Sequence, residues 1–139
     1  MFIMPTILSA PGTGKTHWVN KQGGRWQDAD IRFLDIHDSG WHSKKHTETE
    51  KENHYKLIDN ELNRIKDTEY IVGSLFWEHI PDAVVIIDEG IHKKYVGKRD
   101  DLDWGSVQEI VQSLKNIVFK NRVRVFDTFD SASAYFDDI

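Results

Sequence analysis

The 139-residue chain has no cysteine, which excludes disulfides and thiolate metal sites and fits a cytoplasmic setting. No apolar run approaches the ~18 residues that a membrane-spanning helix needs. The N-terminal MFIMPTILSA lacks the basic flank of a secretory signal, and its apolar residues run straight into a glycine turn. There is no internal repeat and no low-complexity tract. Positive charge is in short supply: 18 Lys and Arg against 23 Asp and Glu leave a net charge of −5. That argues against a broad surface for coating nucleic acid, but it leaves room for a local basic groove. The length suits one domain with a single core over residues 1–139.

What is present alternates. Thr6 to Ser9 reads as a buried strand, and Gly14 to about Asn20 as a helix stopped near Gly23 and Gly24. Arg25 to Asp28 fits a short second strand. Asp30 to Ser43 has no clean period and reads as a loop or broken helix. The polar stretch 44-KKHTETEKEN-53 is expected to be solvated or mobile, ahead of a helical face at Tyr55, Ile58, Leu62 and Ile65. Tyr70 to Leu75 and Ala83 to Ile87 read as buried strands separated by Pro81-Asp82, with a short helix from Glu89 to Lys98. Val107, Ile110, Val111, Leu114, Ile117 and Val118 mark the strongest helix, Ser106 to Lys120, with Ser106 to Glu109 fitting a capping box. Val123 to Phe126 and Ser131 to Ile139 close the chain as strand and helix. Strands alternating with helices predict an α/β three-layer sandwich around a five-stranded parallel sheet.

The most informative stretch is 9-SAPGTGKT-16. It follows the pattern G-x-x-x-x-G-K-[ST], with Ser9 where the first glycine usually stands. Gly12 and Gly14 let the backbone bend so that consecutive N–H groups point inward, which makes Ala10, Pro11, Gly12, Thr13, Gly14, Lys15, Thr16 and His17 the candidate anion-binding stretch. Lys15 can reach the β- and γ-phosphates of a triphosphate, and the Thr16 hydroxyl can ligate Mg²⁺. Strand before and helix after are the context such a loop requires.

A phosphate cradle does not name a reaction. The segment 83-AVVIIDEG-90 can be read as a Walker-B-like strand, in which Asp88 would steer Mg²⁺ and Glu89 would activate water in an ATPase. The longer stretch 82-DAVVIIDEGIHKKYVGKRDDLDW-104 supports another reading. A strand enters a short helix bearing Lys93, Lys94, Lys98 and Arg99, and this resembles the strand, helix and lid of the P-loop nucleoside and nucleotide kinases. The segment 69-EYIVGSLFWEHIPD-82 is similar to that superfamily's third strand. The stretch 122-RVRVFDTFDSASAYF-136 is similar to its closing strand and helix, whose connecting loop packs beside adenine. Small bacteriophage kinases share this size and order of segments, among them enzymes that phosphorylate 5-hydroxymethyluracil in DNA. The resemblance implies ATP and Mg²⁺ as cofactors, a lid near residues 89–104 contributing Arg99, and an acceptor-side segment near residues 30–54. It also implies the cytoplasm of a bacterium, here one infected by phage. The implied acceptor is a nucleotide, as in a deoxynucleoside monophosphate kinase, or a hydroxymethylated base in DNA.

Such a kinase needs a carboxylate to orient the attacking hydroxyl and take its proton. The stretch 25-RWQDADIRF-33 offers Asp28 and Asp30, with Asp35 a third candidate. It is similar to the acidic step followed by Arg in polynucleotide-kinase-like enzymes, which casts Asp28 or Asp30 as base and Arg32 as a phosphate contact. Trp41 and Trp77 could stack on an acceptor base, although tryptophan in a small chain is first of all core. Ser74 at a strand end is open to either a site role or a structural one. His37, His42, His46 and His54 invite a zinc reading through the i, i+4 pair His42 and His46. Without HExxH or cysteine, contact of Lys44, Lys45 and His46 with acceptor phosphates is the better reading of that stretch.

Overall fold

The computed structural model describes residues 5–22, 25–29, 47–65, 69–74 and 80–137. Strand β1 (Thr6–Ser9), buried along its whole length, is the middle strand of a five-stranded sheet. On one side of it lie β3 (Tyr70–Gly73) and then β2 (Trp26–Asp28). On the other lie β4 (Ala83–Val85) and then β5 (Arg124–Phe126). Every pairing is parallel, in the order β2-β3-β1-β4-β5. The helices are α1 (Lys15–Lys21), α2 (Glu48–Ile65), α3 (Glu89–Gly97), α4 (Trp104–Asn121) and α5 (Phe129–Asp137).

A parallel sheet must be covered on both faces, and alternation along each strand shows how this one is. Ile7, Val72, Ala83 and Val85 point to one face, where Trp18 and Val19 of α1 and Phe129 and Ala132 of α5 complete the core. Leu8, Ile71 and Val84 point to the other, against Ile58 and Leu62 of α2, Val96 of α3, and Val107 and Leu114 of α4. The result is the expected three-layer α/β sandwich. On the first face the Trp18 indole Nε1 donates to Asp130 Oδ1 at 2.8 Å, so α1 and α5 are tied by a directional bond as well as by packing.

The helix starts show where sequence pattern and local chemistry diverge. Of the polar stretch expected to be solvated or mobile, residues 47–53 are described; they are exposed, and the chain is helical from Glu48. Thr47 and Glu50 form a reciprocal capping box: Thr47 Oγ1 accepts from Glu50 N at 3.1 Å, and Glu50 Oε1 accepts from Thr47 N at 3.2 Å. Helix α4 starts two residues before the expected Ser106. Its cap is Asp103, whose Oδ2 accepts from both the backbone N (3.0 Å) and the Oγ (3.2 Å) of Ser106. Aspartate and serine are about equally good caps, and here Asp103, earlier in the chain, takes the role and bonds Ser106 itself. The strands expected to reach Leu75 and Ile87 end at Gly73 and Val85, and the last helix begins at Phe129, one residue after Thr128, whose Oγ1 accepts from Ser131 N.

The topology fixes where a ligand can enter. The chain leaves β1 toward α1 on one face and leaves β4 toward α3 and α4 on the opposite face. Neighbouring strands whose connections diverge open a crevice at their carboxyl ends, the usual ligand position in open α/β sheets. The segment Ala10 to Gly14 lies there.

Candidate functional site

The turn after β1 is held by its own side chains. Gly12 and Gly14 have φ of 77° and 82°, the left-handed region that residues with a Cβ avoid. Gly12 is demanded twice over, because a Cβ there would stand 2.7 Å from Val96 Cγ2 and 3.2 Å from Leu102 Cδ1. Thr13 is buried, and its Oγ1 donates to the Ala10 carbonyl at 3.1 Å. The Ser9 hydroxyl, also buried, lies 3.2 Å from Thr13 Oγ1. Ser9, the residue in place of the usual first glycine, is therefore part of the brace that sets the curvature of the turn.

Lys15 and Thr16 open α1, and both side chains turn to the end of β2. Lys15 Nζ is 3.1 Å from Asp28 Oδ1, and Thr16 Oγ1 donates to Asp28 Oδ2 at 2.8 Å. The ion pair is deeply buried, with side-chain exposures of 8% for Lys15 and 2% for Asp28. One carboxylate thus engages both groups singled out as triphosphate and Mg²⁺ contacts. Strand β2 is not a neighbour of β1, since β3 lies between them, so this convergence bridges the carboxyl end of the sheet. The first turn of α1 carries no acid and its Gly14 cap supplies no side chain, so neither competes for the amides of the turn.

Helix α3 backs the loop from the far side. His92 Nε2 donates to the Pro11 carbonyl at 2.8 Å, and the ring, 2% exposed, meets Trp104 edge-on at 5.2 Å. A carbonyl can only accept, so His92 Nε2 carries the hydrogen of this bond. Val96 presses on Gly12, and Tyr95 Cε2 lies 3.7 Å from where a Gly14 Cβ would be. His92 gave no signal in the sequence. It sits alone in its segment, and its partner lies 81 positions away.

The remaining candidates are placed as follows. Asp88 is exposed and caps α3, its Oδ2 accepting from Ile91 N at 3.1 Å. Glu89 is exposed in the first turn of the same helix, and Lys93, Lys94 and Lys98 are exposed further along. Arg99 makes two bonds to Asp101, at 3.0 and 2.6 Å. Ser74 is half-buried just beyond β3, and His54 is buried in α2 with its ring against Tyr55. Asp30, Arg32, Asp35, His37, Trp41, His42, Lys44, Lys45, His46 and Trp77 lie outside the described residues. Among the described residues no group of three or more His, Cys, Asp or Glu could hold a metal ion, and no helix is long and apolar enough to cross a membrane. A cavity of about 650 Å³ opens beside β5, lined by Ile86, Val118, Val125 and Phe126 with Lys115, Asp127 and Ser131. It shares no lining residue with the glycine turn.

Comparison with known protein families finds no family model that matches the chain, and comparison with characterised proteins finds no match either.

Proposed function

We propose that the chain is an ATP- and Mg²⁺-dependent phosphotransferase of the P-loop kinase type, acting on a hydroxyl of a nucleotide or of a modified nucleobase. The observation that carries the reading is the convergence of Lys15 and Thr16 on Asp28 at the mouth of a doubly left-handed glycine turn. In this reading the turn amides and the Lys15 ammonium hold the β- and γ-phosphates. The Thr16 hydroxyl and the Asp28 carboxylate are hard oxygen donors of the kind Mg²⁺ takes. Bound there, the ion would supply charge neutralisation for the transferring phosphoryl group.

Because both Asp28 oxygens already face Lys15 and Thr16, Asp28 is assigned to alignment, and Asp30 to the acceptor proton. The acceptor oxygen attacks the γ-phosphorus, the bond to ADP breaks, and the hydroxyl proton passes to the Asp30 carboxylate. Arg99 reaches the transferring phosphoryl after exchanging its Asp101 partner. The cavity beside β5 is lined by apolar side chains together with Lys115, Asp127 and Ser131, the mixture a base pocket requires. It adjoins the β5–α5 loop, where the kinases this chain resembles pack adenine. Among acceptors, the hydroxymethyl group of 5-hydroxymethyluracil in DNA is the most specific choice.

The test is ADP release with ATP and Mg²⁺ across deoxynucleoside monophosphates, nucleosides and hydroxymethylated DNA. Acceptor-dependent ADP with a phosphorylated product is expected. ADP release that needs no acceptor and disappears in Glu89→Gln would instead make the protein an ATPase using Asp88 and Glu89. Asp30→Asn is expected to abolish transfer, and Glu89→Gln to leave it within about twofold.

A further inference from the structure

One face of α3 lies against the glycine turn. His92 bonds the Pro11 carbonyl, Val96, at i+4, stands where a Gly12 Cβ would have to go, and Tyr95, at i+3, lies on the Gly14 side. Only the first of these contacts is a directional bond, and we propose that His92 is a positioning residue that aims the Gly12 amide at the bound phosphate. The proposal rests on the phosphate-binding reading of the turn.

The argument is one of peptide geometry. In a trans peptide the carbonyl and the following N–H point in opposite directions, and the chain contains no cis bond among the described residues. His92 draws the Pro11 carbonyl toward α3, so the N–H of Gly12 in the same peptide unit points away from α3. Pro11 has no N–H of its own, so the Gly12 amide is the first donor the turn can offer after Ala10. At φ 77° the Gly12 backbone could relax to other conformations open to glycine if that carbonyl were released. The imidazole is itself held by burial and by Trp104, so it restrains the peptide without competing water. Val96 bears on the same turn, its Cγ2 only 2.7 Å from where a Gly12 Cβ would stand.

Two measurements test this. In the first, Mg-ATP is titrated calorimetrically into the wild type and three variants, with unfolding temperatures recorded without nucleotide. His92→Phe keeps the ring packing and loses the donor, and its affinity is expected to fall about tenfold, as for loss of a buried hydrogen bond. His92→Gln places an amide Nε2 at similar reach and is expected to restore affinity, whereas the shorter His92→Asn is not. A merely structural role would lower the unfolding temperature and leave affinity unchanged, and wild-type affinity in folded His92→Phe overturns the proposal.

The second measurement needs no variant. The ¹⁵N-labelled wild-type protein is titrated with Mg-ATP, and the Gly12 amide resonance is expected to move among the largest shifts of the turn. Shifts at Gly14 to Thr16 without one at Gly12 overturn the role of His92. Absence of any shift from Ala10 to Thr16 overturns the phosphate-binding reading itself.

Discussion

Lys15 and Asp28, thirteen positions apart in the chain, form a buried ion pair at 3.1 Å across the carboxyl end of the sheet. Removing one member of such a pair costs about 3–5 kcal/mol, because the other charge stays in a poorly solvated place. Asp28→Asn and Lys15→Met are each expected to cost roughly 3 kcal/mol in urea unfolding, and the double variant much less than their sum. Additive single effects would show that the pair contributes nothing specific.

The two glycines of the turn should respond differently to the same substitution. Gly14→Ala meets nothing closer than 3.7 Å, so its cost is the left-handed backbone alone, about 1–2 kcal/mol. Gly12→Ala adds a 2.7 Å clash with Val96 Cγ2 and should cost at least about 1 kcal/mol more. Val96→Ala in the Gly12→Ala background removes that clash and should recover part of the loss, although it destabilises the otherwise wild-type chain by opening a cavity. Thermal unfolding of the wild type and the four variants checks the order, and equal penalties for the two glycines would contradict the contact.

Ser9 offers a third test, because it occupies the place of a usual glycine. Its hydroxyl faces Thr13 Oγ1, which in turn donates to the Ala10 carbonyl. Restoring the usual residue with Ser9→Gly should therefore harm the protein, by about 1 kcal/mol for the lost contact and the added backbone freedom. Thr13→Val should cost a similar amount, and the combined variant no more than slightly beyond either. A gain in stability for Ser9→Gly would show that the serine is only tolerated.

The fold was legible because its signals are local. Buried runs ended by glycine or proline give β1 and β4, and the apolar period from Val107 to Val118 gives α4. The glycine turn was legible for the same reason, since Gly12, Gly14, Lys15 and Thr16 lie within five positions. What escaped was decided by competition or by distance. Asp103 outcompetes Ser106 as a cap, and the Thr47–Glu50 box carries a polar stretch into helix. The Asp28 contacts and the His92–Pro11 bond depend on which strands and helices become neighbours, and no period along the chain encodes that.

Thr16 provides the sharpest test of the ion in the proposed reaction. A ligand that binds only the folded state at a hundred times its Kd stabilises it by about 2.7 kcal/mol. For a chain of this length that corresponds to roughly 8–10 °C in unfolding temperature. Mg-ATP is therefore expected to raise Tm by about that much, and ATP with EDTA by distinctly less. Thr16→Val removes the oxygen that would meet the ion, together with the 2.8 Å bond to Asp28. Without nucleotide it should lower Tm by a few degrees, the loss of one hydrogen bond of about 1 kcal/mol. With nucleotide, the difference between magnesium and EDTA should nearly vanish. A Thr16→Val protein that keeps the full magnesium increment would place the ion elsewhere, with Asp88 the next oxygen donor to examine.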